Sequence, residues 1–159
     1  MAFDPAEQRK ILGSFATGVT VITTKGESPT GLTANSVTSL SLDPPLVLFA
    51  VDKRASSLQA FRDAGCFAVN ILTAEQQEIS NRFASPGPKD FSDLDTRTAE
   101  TGAPVLNGSL GWVDCRLQYV LPGGDHDIFV GEIVAGEYHG GDPLLYFAGK
   151  YRDIAPLSE

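Results

Sequence analysis

Thr33-Ala34-Asn35-Ser36-Val37-Thr38-Ser39-Leu40-Ser41-Leu42-Asp43-Pro44-Pro45-Leu46-Val47-Leu48-Phe49-Ala50-Val51-Asp52-Lys53-Arg54-Ala55-Ser56-Ser57 is the stretch on which the reading of this chain turns. From Thr33 to Ser41 most side chains are small or hydroxylated and none is charged. From Leu46 to Val51 every residue is apolar, with no alternation, the pattern of a strand buried on both faces. Asp43-Pro44-Pro45 separates the halves. Proline has no amide proton and restrains the residue before it, so neither proline is expected to continue a ladder. The second half ends in Asp52-Lys53-Arg54, followed by Ser56 and Ser57, where a strand gives way to a helix start.

In physical terms the first half is a polar, uncharged ribbon of backbone. Small side chains let a flat molecule approach the main chain and use its N–H and C=O groups. The end of the second half brings two cations and two hydroxyls to a helix start, a setting that suits phosphate. A ring on the ribbon and a phosphate at the cations describe a flavin mononucleotide. A surface turn followed by a capped helix uses the same residues, and these residues alone leave both readings open.

The rest of the chain narrows the choice. Its 159 residues suggest one domain, 1–159, large enough for a sizeable core. Hydrophobic residues make up 42% and charged residues 20%, which places it among globular proteins. A net charge of −8 argues against nucleic acid or an anionic membrane surface as the main partner. Cys66 and Cys115 lie in strand-like runs with no metal-ligand spacing, so both are expected as buried free thiols. The chain shows neither a signal peptide nor a long apolar segment, and the expectation is a soluble cytoplasmic protein.

Outward from the ribbon, Asp4-Pro5-Ala6-Glu7 reads as a helix start. Ile11, Leu12 and Phe15 form its apolar face, and Gly18 is placed to end it. Val19–Thr24 and Thr30–Ala34 read as strands joined by a hairpin loop. Leu58 and Phe61 lie on a short helix that Gly65 ends; a strand from Phe67 to Leu72 follows, apolar except for Asn70. Thr73-Ala74-Glu75-Gln76 is a capping box for a helix carrying Ile79, Arg82 and Phe83. Residues 85–109 form a largely polar segment, with Phe91 and Leu94 as anchors, of the kind that often serves as a lid. Trp112–Val120 alternates, with Val113, Cys115, Leu117 and Tyr119 on one face. Strands over Ile128–Tyr138 and from Leu144 to Phe147 complete the pattern. Six or so strands with short turns suggest an antiparallel β-barrel, and the GxGxxG fingerprint of a Rossmann unit is absent.

Chemistry-bearing side chains are few. No nucleophile triad, carboxylate pair or metal cluster is visible. His139 sits in a glycine-rich turn and is expected in solvent; His126 follows Gly124-Asp125 at a strand entrance. Such a chain fits reactions in which a cofactor carries the chemistry and the protein supplies position and electrostatics.

Gly18-Val19-Thr20-Val21, Gly31-Leu32-Thr33-Ala34-Asn35-Ser36, Ser41-Leu42-Asp43-Pro44-Pro45, Phe67-Ala68-Val69-Asn70-Ile71-Leu72, Phe83-Ala84, Gly124-Asp125-His126, Val130-Gly131-Glu132-Ile133 and Pro143-Leu144-Leu145-Tyr146-Phe147 follow one another in this order. Together they resemble the short-chain flavin reductases, the reductase components of two-component flavin-dependent monooxygenases. The resemblance implies a mainly β fold, a six-stranded antiparallel Greek-key split barrel with a few short flanking helices, working as a homodimer with flavin near the interface. It implies contacts to the isoalloxazine and ribityl chain from Ala34, Asn35, Ser36, Thr38, Ser39 and Leu40. Asp52, Lys53, Ser56 and Ser57 would surround the ribityl and phosphate. Arg82 and Phe83 match a segment that approaches the cofactor, His126 matches a position near the nicotinamide, and Tyr151 would lie nearby. A carboxylate at Asp127, where relatives often carry an uncharged residue, would disfavour NADPH against NADH.

The activity implied is NAD(P)H-dependent reduction of FMN, with FAD or riboflavin as further substrates, and release of reduced flavin to a separate oxygenase. Two alternatives on the same barrel are an FMN-holding electron carrier without turnover and a binder of haem or another tetrapyrrole.

Overall fold

The computed structural model describes residues 2–157. In chain order its elements are α1 (Pro5–Leu12), β1 (Thr17–Gly18), β2 (Thr20–Thr24), β3 (Thr30–Ala34), β4 (Thr38–Leu42), β5 (Pro45–Asp52), α2 (Leu58–Ala64), β6 (Cys66–Ile71), α3 (Gln77–Ala84), β7 (Thr96–Thr98), β8 (Pro104–Leu106), β9 (Gly111–Gly123), β10 (His126–Tyr138), β11 (Leu145–Phe147) and β12 (Lys150–Arg152). Seven strands form one antiparallel sheet in the order β3-β2-β6-β9-β10-β5-β4. The sheet curls until β3 lies against β5. No ladder joins them. Instead Ser36 Oγ donates to Ala50 O and accepts from Ala50 N, each at 3.1 Å. A side chain thus bridges the seam of a split barrel, the fold the resemblance implies. The sheet counts seven strands where six were expected, with the edge strand β4 included.

The interior is aromatic. Phe49 stacks on Phe129 with centroids 5.3 Å apart, Phe67 meets Phe49 edge-on at 4.8 Å, and Phe61 of α2 closes one end against both Phe49 and Phe129. Edge-on and offset pairs of this kind add about 0.5–1.5 kcal/mol each to the area they bury. Gly131 makes the packing possible, because a Cβ there would come within 2.4 Å of the Phe67 ring.

Several sequence expectations change once the chain is folded. Pro45 opens β5 opposite Leu42, so it does take part in the sheet, at the first position of a strand where its missing N–H is tolerated. The apolar run of β5 is buried on one face only: Val47, Phe49 and Val51 point into the barrel, while Leu46, Leu48 and Ala50 stay half-buried on the outside. Along β9, Val113, Cys115 and Leu117 pack inward as expected, but Tyr119 is exposed. A bulge at Gln118 inserts one residue between the pairs Gly131–Leu117 and Val130–Tyr119, which flips the parity and sends Val120 inward instead. Helix α1 begins as expected, with Asp4 accepting from Ala6 N at 3.0 Å, but Gly13 ends it and Gly18 belongs to β1. Its apolar residues Ile11 and Leu12, and Phe15 beyond it, are exposed.

The capping box at Thr73 is present, and it starts a 3-10 turn, Ala74–Gln76, that runs into α3. Cys66 and Cys115 are free and buried, and burial pushes the Cys115 thiol up. Residues 85–109 do not form a free lid. They carry the hairpin β7–β8, with Val105 and Leu106 fully buried, and Phe91 packs edge-on against Phe83 at 5.2 Å. Asn70 ties this segment to the barrel: its Nδ2 donates to Val21 O at 3.0 Å and Thr23 Oγ1 at 3.2 Å, and its Oδ1 accepts from Leu106 N at 2.8 Å. His139 is exposed, as expected, and its Nδ1 bonds Ser109 O at 3.0 Å.

Candidate functional site

The curl that leaves the seam also leaves a cleft of about 480 Å³. Three walls meet there. The ribbon Gly31–Ser36 supplies the floor, the end of β5 and the turn into α2 supply Ala50, Asp52, Arg54, Ser56 and Ser57, and the end of α3 supplies Phe83 and the loop to Lys89. His126, at the start of β10 and paired in register with Asp52, completes the rim. Of the residues expected at the cofactor, Ala34, Asn35, Ser36, Asp52, Ser56, Ser57, Phe83 and His126 therefore come together around one cavity.

The ribbon has the property expected of it. Its paired part ends at Ala34, whose carbonyl accepts from Thr20 Oγ1 at 2.7 Å. Beyond it the N–H groups of Asn35 and Ser36 donate to no protein acceptor among the described residues, and the Asn35 amide side chain also makes no hydrogen bond. Ser36 differs from expectation, since its hydroxyl is engaged with Ala50 and only its main chain is free. Ser57 is buried at the start of α2 and does not cap the helix with its side chain, which leaves its hydroxyl to the cleft.

Other expected contacts lie elsewhere. Lys53 is turned away: its Nζ donates to Gly124 O at 2.7 Å and its N–H to Asp125 O at 3.0 Å, stapling β5 to the β9–β10 turn. Arg82 is also outside the cleft, with its guanidinium forked onto Asp93 at 2.6 and 3.0 Å and bonded to Asp90 O at 3.1 Å. Arg82 holds the Asp93 carboxyl below the usual carboxylate range, and hydrogen bonds from Ser92 do the same for Asp90. Thr38, Ser39 and Leu40 sit on the exposed edge strand β4. Tyr151 lines an adjoining cavity of about 250 Å³, which shares Thr33, Asn35 and Ala84 with the cleft, and its hydroxyl bonds Ser80 Oγ at 2.7 Å and Asn81 Oδ1 at 3.1 Å.

Two cations that do line the cleft are Arg54 and Lys89. Arg54 was legible as half of the basic pair 53–54; in the turn after β5, Lys53 is taken by Gly124 O and Arg54 by Asp52 at the cleft. Asp52 accepts from Arg54 N and Nη2 at 2.8 Å and from Nε at 3.1 Å, and these bonds hold the Asp52 carboxyl well below its usual range. The pairing fixes the guanidinium by its Nε–Nη2 edge and leaves Nη1 for a ligand. Beside this pair, on the neighbouring strand, Asp125 Oδ1 lies 2.7 Å from His126 Nδ1, and that bond lowers the Asp125 pKa. An ionised carboxylate only accepts, so Nδ1 carries a proton and Nε2 is the atom left to a ligand. Asp127 is buried and paired with Arg62 Nη2 at 2.7 Å. Its charge is therefore engaged with Arg62, and it is not among the residues that line the cleft.

Residues 12–155 match the family described as the flavin reductase like domain. The chain is 42% identical over 160 residues to the flavin-dependent monooxygenase reductase subunit HsaB of Mycobacterium tuberculosis, covering 96% of this chain and 84% of that one. It is 44% identical over 144 residues to the FMN reductase (NADH) SmoA of Agrobacterium fabrum, covering 90% and 82%. Among solved structures, the NADH:FAD oxidoreductase SgcE6 of Streptomyces globisporus C-1027 superposes with a TM-score of 0.91 at 38% identity, over 98% of each chain. With the split barrel, the ribbon and the match over residues 12–155 in agreement, this chain belongs to the flavin reductase-like family.

Proposed function

We propose that this protein is an NADH-dependent flavin reductase that reduces FMN, accepts FAD, and passes the reduced flavin to a separate oxygenase component. The observation that carries the reading is the pair of unpartnered N–H groups at Asn35 and Ser36, set among small side chains on the floor of the cleft. Orphan donors on a flat, uncharged ribbon suit the acceptor edge of a heteroaromatic ring. When bound, the flavin supplies the hydride acceptor. The chain's own residues bind and orient. Asn35 and Ser36 hold the ring edge, and Ala34 and Phe83 bound its sides. Arg54 Nη1 with Ser56 and Ser57 receives the phosphate. His126 Nε2 accepts from the nicotinamide carboxamide and fixes the approach of the donor, as hydride transfer depends on alignment and needs no proton from the protein at that step. Tyr151 borders the adjoining cavity next to Asn35, away from His126.

A homodimer belongs to the same proposal. Leu42 is 91% and Phe15 78% exposed, and Leu40, Ile11 and Leu12 are exposed with them. Apolar surface of this extent on β4 and α1 suits a second copy of the chain. Sedimentation checks it: a monomer that binds flavin at full affinity removes the interface from the cofactor site.

The test of function is NADH oxidation by the purified protein with and without added FMN. Turnover that depends on added flavin supports the reductase. Tightly held flavin without turnover is the electron carrier, and a Soret band is the tetrapyrrole binder; the named activities of the relatives favour neither. Among the described residues no helix is long and apolar enough to cross a membrane.

A further inference from the structure

The two cations of the cleft are held in unlike ways. Arg54 comes from the turn before α2, with the hydroxyls of Ser56 and Ser57 beside it and Asp52 as its ionic partner. Lys89 comes from the loop after α3, where Pro86-Gly87-Pro88 and a φ of +92° at Gly87 bring the chain back over the cleft. Its Nζ donates to Ser85 O, and no carboxylate pairs with it among the described residues. The neighbouring acids are engaged elsewhere, Asp90 with the Ser92 amide and Asp93 with Arg82. Partial burial lowers the Lys89 pKa. In a chain of net charge −8, an amine drawn out of water beside a cavity, with every nearby acid occupied, is a site for an anionic ligand.

We infer that Lys89 is a specificity residue that receives a second phosphate, the adenylate-side phosphate of a pyrophosphate, while Arg54, Ser56 and Ser57 on the other wall receive the first. The inference rests on the reductase reading. A monophosphate such as FMN presents one phosphate, and the wall with two hydroxyls and a guanidinium has the donor set for it. Lys89 comes from another element and another wall of the same cleft, and a molecule with two phosphates would engage both walls. Both FAD and a nicotinamide dinucleotide carry the required group.

The experiment compares wild type with Lys89→Gln and Lys89→Arg. Affinities for riboflavin, FMN and FAD are measured by quenching of flavin fluorescence, and KM for NADH is measured with each flavin. Loss of one charge-assisted contact corresponds to about ten-fold in Lys89→Gln, restored in large part by arginine. A ten-fold loss for FAD with FMN and riboflavin unchanged assigns the phosphate to FAD. A ten-fold rise in KM for NADH with unchanged flavin affinities assigns it to the dinucleotide donor. Equal losses for FMN and FAD with riboflavin unchanged would overturn the inference, because Lys89 would then hold the flavin's first phosphate. Unchanged values throughout would also overturn it. Wild-type protein that binds flavins but never oxidises NADH would sink the reductase reading, and the flavin titrations would still decide on Lys89.

Discussion

Asn70 in the barrel wall and Asn35 on the ribbon carry the same amide in opposite circumstances. Asn70 is fully buried, and three hydrogen bonds satisfy it on both ends while joining β2 to β8. Asn35 is exposed at the junction of two cavities, with neither its side chain nor its N–H bonded to the protein. Polar groups taken out of water need partners, and the interior supplies them; polar groups on a cleft floor can wait for a ligand because water serves them meanwhile. The same contrast separates Lys53, engaged with Gly124 O, from Arg54, which keeps Nη1 free. At Asn70 and Lys53 the chain satisfies its own donors and ties the barrel together; at Asn35 and Arg54 it leaves donors facing the cleft.

The largest effect expected from this contrast is in the interior. Asn70→Leu leaves Leu106 N–H without its acceptor and leaves Thr23 Oγ1–Pro104 O as the side-chain bond between β2 and β8, and it should cost about 2–3 kcal/mol of stability in a urea titration. Flavin affinity of the folded fraction should hold. A loss of flavin affinity equal to the loss of stability would break the separation of interior from site.

His126 comes next. His126→Ala should slow flavin reduction about ten-fold and raise KM for NADH, while flavin affinity and Tm stay nearly constant. His126→Asn should recover part of the rate, since an amide still offers a hydrogen bond. An imidazole acting through its charge would not be rescued by asparagine. Normal kinetics for His126→Ala at low NADH would reduce the residue to a turn former.

Arg54→Ala should weaken FMN by about five- to ten-fold and leave riboflavin alone, an exposed cation giving less than a buried one. Lys53→Ala should not change the ratio of FMN to riboflavin affinity, although Lys53 was the cation expected at the phosphate. A result the other way round would mean that the Lys53–Gly124 bond gives way when ligand arrives.

The smallest effect is with pH. Arg82 holds the Asp93 carboxyl below its usual range, so the unfolded chain takes up a proton there before the folded one does. The stability this pair gives is complete above the ordinary carboxylate range of about pH 4 and is lost as the pH falls through the lowered folded value. Protection factors in residues 85–95, taken against the intrinsic exchange rate at each pH, should therefore fall on acidification, and Asp93→Asn should show the low protection at neutral pH. The cleft floor at Asn35 should not respond.

Much of this protein could be read from periodicity and punctuation. Alternating, β-branched and continuous apolar runs placed β2, β3, β5, β6, β9 and β10 within a residue or three, because a strand's pattern is local. Capping at Asp4 and Thr73 and the stop at Gly65 were likewise local. The ribbon Thr33–Ser36 was visible as an uncharged run of small residues, and the family resemblance carried His126 and the serines with it. The folded chain decided the rest. A bulge at Gln118 turned Tyr119 outward, and no periodicity shows where an extra residue is inserted. Competition for partners set which of two adjacent cations lines the cleft, Lys53 being held by Gly124 O, and the path of the loop after α3 brought Asp93 to Arg82, eleven positions before it in the sequence. Lys89 joined the site because a proline- and glycine-bound loop folds back over it. Local pattern determined the elements and the floor of the site. Which charges face that floor depends on loop path and competition among partners, and those are settled only when distant segments meet.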